Sequence, residues 1–498
     1  MLFTTAAFPC LFLPIALALF FGLARWSHGA AAISLFGASL LFYAVWMPIY
    51  VLLLLGSVVL NYAIGGRIGT CMTAGNRAAG RRWLIAGVAL DLGLLAYYKY
   101  ANFFVINLNA ALGTHWAFDH VLLPIGISFF TFTQIAFLAD AFQKGVREYR
   151  FSHYGLFVTY FPHLVAGPVL HHAQMMPQFR EASTYRLNGS NLSAGLFIFA
   201  LGLIKKVVLA DGISPFADAV FGPTDAGASP DLHEAWLGAL AYTFQLYFDF
   251  SGYSDMAIGI SLLFNIRLPV NFNSPYKSVS ISDFWRRWHI SLSNFLRDYL
   301  YIALGGNRHG AVRRYLNLAT TMVLGGLWHG ASWSFVLWGS LHGFYLMINH
   351  GFRALLGARR LERLDGNQAW NLAGWALTML AVILAWVFFR AQSLEGALRM
   401  LGSMTGHGSL IDSLNGVHRL LWNAGLPWPT GMAWCLVLAM LACLAPNSNS
   451  LGQQALTLCR KNARTRATLA GASLGAVLLM VMLNTSRDAS SAFIYFNF

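Results

Sequence analysis

Long apolar stretches recur along almost the whole chain, near residues 10–24, 31–65, 83–113, 121–141, 154–171, 192–210, 235–264, 316–350, 370–390, 431–446 and 467–484. About 20 apolar residues in a helix cross a hydrocarbon core of about 30 Å. Backbone polar groups in lipid must be paired within their own segment, which favours helices. Only 10% of the 498 residues are charged, against about 25% in soluble domains, so a water-facing surface cannot be covered. The expected class is an all-α polytopic membrane protein of roughly 11–13 helices, some tilted or re-entrant. No internal repeat stands out and no soluble domain is visible at either end, so one membrane domain over 1–498 is expected. The run from Cys10 to Leu23 reads as a retained first helix, because no Lys or Arg precedes it and apolar segments follow at once.

The net charge of +14 comes from 33 Lys and Arg against 19 Asp and Glu. These bases fall in short runs between apolar segments, the positive-inside pattern, rather than in a nucleic-acid-binding patch. Arg77, Arg81 and Arg82 mark one cytoplasmic loop, and Arg147 and Arg150 another. Further markers are Arg308, Arg313 and Arg314; Arg353, Arg359, Arg360 and Arg363; and Arg460, Lys461, Arg464 and Arg466. Segments 212–234 and 402–430, nearly free of Lys and Arg, are assigned to the periplasmic face. The five cysteines, Cys10, Cys71, Cys435, Cys443 and Cys459, show no CxxC spacing, so neither a metal site nor a disulfide framework is indicated.

Residues 271–314 are too polar to cross a bilayer and read as a cytoplasmic or interfacial insertion. Asn271, Asn273, Pro275 and Tyr276 form a turn-rich lead-in, and Ser282 is the expected N-cap of a helix carrying Asp283, Trp285, Arg286, Arg287, Trp288 and His289. Asp283 and Arg287 are spaced to pair on it. The two tryptophans are expected at the interface, with His289 at the edge of a cytoplasmic mouth.

The sharpest feature is GGLWHGASW, residues 325–333. Two antiparallel spans fit between the basic markers at Arg314 and Arg353, with Gly330 at the hairpin end. His329 then lies about 22 Å along a helix from Arg314, deep in the core, where an ionisable side chain usually faces a cavity or partner. Gly325, Gly326, Gly330 and Ala331 permit close packing or backbone approach to a substrate. Other signals are weaker. Asp249 and Asp255 in YFDFSGYSDMAIG call for structural partners. His163, His171 and His172 surround a Gly-Pro break that suggests a broken helix more than a metal site. HGSLID, 407–412, matches an HxxxxD pattern by chance composition.

The stretches LLPIGISFFTFTQ (122–134), FPHLVAGPVL (161–170), AYTFQLYFDFSGYSDMAIG (241–259), NFNSPY and FWRRWHISLSNFLRDYLYIALGGNR (within 271–308), GGLWHGASWSFVLWGSLHG (325–343) and WVFFRA (386–391) together resemble the membrane-bound O-acyltransferase family. Within it the chain is most similar to the bacterial branch that serves alginate O-acetylation. The resemblance implies a ring of tilted helices around a central catalytic region, with His329 as the essential histidine in a hairpin over 325–343. It implies a second, less uniform site at His289. It also implies acetyl transfer from a cytoplasmic thioester, acetyl-CoA as cosubstrate with no permanently bound cofactor, and location in the bacterial inner membrane. A periplasmic partner protein would deliver the acetyl group to an exopolysaccharide such as alginate; relatives serve cellulose and teichoic acid. In the implied mechanism His329 acts as general base, or carries the acetyl group itself. A transporter or flippase without transfer chemistry also suits the composition, but leaves the WHG and RRWH motifs unexplained.

Overall fold

The structure, a computed structural model, describes residues 2–116, 121–148, 150–407, 418–486 and 493–494. Among them every regular element is helical and there is no strand, as lipid requires of a chain whose backbone polar groups must pair locally. Among the described residues, five helices are long and apolar enough to cross a membrane: Tyr50–Thr73, Arg77–Leu112, Gly189–Asp225, Gln368–Arg390 and Ala463–Thr485. A sixth is added if Trp428–Leu444 and Ser448–Lys461 count together. The other apolar stretches form shorter, broken or polar-interrupted helices among the described residues. The protein is membrane-integral.

The chain divides into two compact units. The first comprises Met1–Ile204, Gly252–Val270 and Ser448–Asn497. Its helices close on one another through small residues and buried polar pairs, because apolar contact alone gives no preference over lipid. A Cβ on Gly202 would meet the Gly252 carbonyl at 2.6 Å, and one on Gly259 would meet the Phe199 nitrogen at 2.5 Å. Asn61 donates to Asp91 at 2.8 Å and Gln134 to Ser57 at 2.7 Å, all four residues being buried. The expected break after FPHL is present: the short helix Phe161–Leu164 ends before Gly167, and His163 bonds the Phe157 carbonyl at 3.0 Å.

The second unit comprises Lys205–Ser251 and Asn271–Asn447. Asp249 finds its structural partner here: the Lys206 ammonium lies 2.5 Å from Asp249 and 2.9 Å from Asp211, and all three are almost fully buried. Segment 212–234 is largely helical, with Ile213, Phe216, Val220 and Phe221 buried in Asp211–Asp225. Asp412 of the HxxxxD match lies outside the described residues.

Candidate active site

Glycines bring the central hairpin together. Helix Gly310–His329 turns at Gly330–Ser332 into helix Trp333–Leu356, as the basic markers suggested. A Cβ on Gly326 would overlap the Phe335 carbonyl and stand 3.1 Å from Gly339, while one on Gly343 would meet Ala319 at 3.4 Å. Gly326, singled out in the sequence, therefore sets the crossing together with Gly339 and Gly343, which were not. At Gly330 a Cβ would overlap the Phe335 ring, so the chain turns there without displacing the aromatic wall. His329, the last residue of its helix, is only 3% exposed. Its ring meets Trp338 edge-on at 5.1 Å and Phe389, from helix Gln368–Arg390, also at 5.1 Å.

The polar segment differs from its sequence reading in three ways. Its first helix is Ile281–Arg287, capped by Ser280, whose hydroxyl accepts from the Asp283 amide at 3.2 Å. Ser282 sits one residue inside and donates to Asn349 at 2.8 Å. The helix also stops before Trp288 and His289. Trp288 is buried, stacked on Tyr276 and Phe284, rather than interfacial, and His289 is fully buried rather than at an edge. Sequence spacing cannot see this: two backbone hydrogen bonds, Asn273 N–H to the Arg287 carbonyl and Ile290 N–H to the Asn271 carbonyl, bracket the break. Between them His289 takes a left-handed φ of +42°. The Asp283–Arg287 pair forms as spaced, at 3.0 Å.

Asn271 fixes the His289 tautomer. Its side-chain oxygen accepts from the Ser291 amide at 3.2 Å and from the Ser291 hydroxyl at 2.8 Å. The amide identifies that atom as the acceptor oxygen, so His289 Nδ1, at 3.2 Å from it, must be the protonated nitrogen. Nε2 is then the basic nitrogen. Burial keeps the ring neutral, pushing its pKa down to about 3.

The two segments converge. The His289 and His329 ring centroids are 6.3 Å apart, with Trp328 6.1 Å and Phe250 4.8 Å from His289. A direct bond between two imidazole nitrogens at about 3 Å would draw the centroids to about 5 Å, so no such bond links them. The arrangement is a pair of imidazoles in an aromatic surround. Among the described residues, the one His/Cys/Asp/Glu group with metal-ligand spacing contains neither histidine. Sequence reasoning quoted Asn271 without a role and did not single out His342. That fully buried ring accepts from Trp285 Nε1 at 3.3 Å and lies 4.9 Å from Trp338, whose ring also meets His329. In the same unit a cavity of about 250 Å³ is lined by Ser280, Ser282, Arg286, Arg314, His350 and Arg353.

The family model of the membrane-bound O-acyltransferases matches residues 108–389, which include both histidines, Asn271 and Phe389. Among its relatives, a peptidoglycan O-acetyltransferase of Helicobacter pylori is 44% identical over 84% of this chain and 81% of its own. A probable alginate O-acetylase of Pseudomonas putida is 46% identical over 82% of this chain and 81% of its own. A teichoic acid D-alanyltransferase of Bacillus subtilis is 24% identical over 68% of this chain and 87% of its own. With more than half of its length matched by the family model and relatives this similar covering most of it, the chain belongs to the membrane-bound O-acyltransferase family.

Proposed function

We propose that the protein is a histidine-dependent O-acetyltransferase of the bacterial inner membrane. It takes acetyl from a cytoplasmic thioester, acetyl-CoA, and passes it outward for O-acetylation of a cell-surface polysaccharide through a periplasmic partner protein. The observation that carries this reading is the pair of buried imidazoles, His329 and His289, with ring centroids 6.3 Å apart in an aromatic surround. The family model spans 108–389, across the segments of both units, and supports reading 1–498 as one catalytic domain. Two relatives of nearly equal similarity are named for alginate and for peptidoglycan; the alginate-like exopolysaccharide is the acceptor we assign.

In the proposed reaction the acceptor hydroxyl attacks the thioester carbonyl while His329 takes its proton. The tetrahedral intermediate collapses with loss of the thiolate, which receives that proton in turn. Imidazole suits the exchange because its ordinary pKa lies near operating pH. His289, with Nδ1–H committed to Asn271, offers Nε2 as an acceptor, so it orients donor or acceptor N–H and O–H groups rather than polarising the carbonyl. The cavity walled by Arg286, Arg314 and Arg353 supplies positive charge for the phosphates of a CoA donor.

The test is O-acetyl content of secreted polysaccharide and of peptidoglycan in cells whose only copy carries His329→Ala, with membrane abundance measured in parallel. The expected result is loss of polysaccharide acetylation by about 10²–10⁴-fold at normal abundance. Acetylation retained at normal abundance overturns the mechanism, and loss confined to peptidoglycan reassigns the acceptor.

A further inference from the structure

Away from the histidine pair, three side chains of the second unit converge without a role in acyl transfer. Asp231 is 3% exposed and precedes helix Leu232–Leu263; His233 is in its first turn, and His418 precedes the short helix Arg419–Asn423. We infer that Asp231, His233 and His418 form a binding site for a divalent transition metal, with zinc as its occupant.

Their donor atoms all lie within 4.8 Å of one another. His418 Nδ1 stands 2.9 Å from Asp231 Oδ2, and the two imidazole centroids are 5.7 Å apart. Donors around a tetrahedral zinc, each about 2.0–2.1 Å from it, lie about 3.3 Å apart, so small ring rotations close the set. Two imidazoles and one carboxylate suit zinc over calcium or magnesium, which take oxygen ligands. Three protein ligands leave a fourth coordination position.

The surroundings hold these donors in place, as supporting groups do in metal sites. Asp231 Oδ1 accepts from the backbone N–H groups of His233 at 2.7 Å and Glu234 at 3.0 Å, which turns Oδ2 towards His418. Glu234 in turn accepts from the amides of Leu420 and Leu421 at 2.8 and 3.1 Å, drawing the His418 segment onto the start of the long helix. The Trp428 ring covers both imidazoles, at 5.6 Å from His233 and 5.5 Å from His418. By the loop charges, residues 231–233 and 418 belong to the periplasmic face, so zinc there would tie two outer segments together.

A plain histidine–carboxylate hydrogen bond between His418 and Asp231 is the competing account, and His233 separates the two. Full-length protein is purified in detergent with an affinity tag that contains no histidine, stripped with EDTA, and titrated with zinc chloride. Bound metal is measured after desalting, and the thermal midpoint is followed in the same samples. One equivalent of zinc and a raised midpoint are expected. His233→Ala, which leaves the Asp231–His418 bond in place, is expected to weaken zinc binding by more than about tenfold. His407→Ala, an exposed histidine outside the cluster, is expected to bind as the parent does. Absence of zinc binding by the parent, or parent-like binding by a monodisperse His233→Ala protein, overturns the proposal. His418→Ala, which removes another candidate ligand, is expected to weaken zinc binding at least as much; should it fail to fold, the His233→Ala comparison decides alone.

Discussion

His329 ends a regular helix of 20 residues, whereas His289 stands between helices of 7 and 6 residues in a left-handed backbone conformation. The two rings nonetheless arrive 6.3 Å apart. The first is placed by helix packing: Gly326, Gly339 and Gly343 set how closely the hairpin closes, and the histidine follows from the register. The second is placed by polar anchoring, because it stands at a break between helical segments rather than within one. Asn271 supplies that anchor through both its carbonyl and its side chain. Holding a non-glycine residue at positive φ costs about 1–3 kcal/mol, which the bracket of hydrogen bonds must offset. The contrast teaches that one half of the site is robust to polar substitution and sensitive to volume, and the other half the reverse.

The largest effect should come from volume in the hairpin. Gly326→Ala forces the helices apart and should cost about 1–3 kcal/mol, and Gly326→Leu should prevent accumulation of folded protein. Thermal midpoints and membrane abundance measure this. Gly351→Ala, on the same hairpin but with open space around its Cα, should be neutral or slightly stabilising; equal damage at both positions would break the packing half of the comparison.

Next comes the polar anchor. Asn271→Ala removes the acceptor shared by His289 and Ser291 and should destabilise by about 1–3 kcal/mol. If the proposed reaction holds, releasing the His289 ring should also lower kcat for acetyl transfer by about 100-fold, with a smaller change in the KM for the acyl donor. A kcat unchanged in folded protein would show that the tautomer lock does not matter to the chemistry.

The smallest effect is expected at the Asp283–Arg287 pair, whose side chains are 23% and 33% exposed. Asp283→Asn should shift stability by only about 0.3–0.5 kcal/mol, within the scatter of unfolding midpoints. A loss larger than that of Asn271→Ala would mean that the helix before His289 carries more of its positioning than Asn271 does.

Much of this was legible in the residues. The apolar stretches dictated helices, GGLWHGASW announced a glycine-lined turn carrying a histidine, and the Asp283–Arg287 spacing announced its pair. The cap at Ser280 rather than Ser282 was a choice between two serines that local pattern does not separate. Trp288 and His289 were misplaced because helical periodicity extends naturally through RRWH. Hydrogen bonds with residues 271–273, outside the helical window itself, bracket the point where it stops. Asp231, His233 and His418 escaped notice because 187 residues separate the two members of the Asp231–His418 pair.

Sequence alone therefore settled the class of solvent this chain folds in, its helical content and the residue types able to do chemistry, since each follows from hydrophobicity and periodicity within a short window. Tertiary structure decided which of the histidines meet, which nitrogen of His289 carries the proton and where the RRWH helix ends. Those outcomes rest on close backbone approaches and single hydrogen bonds between segments distant along the chain, and no local window contains both partners.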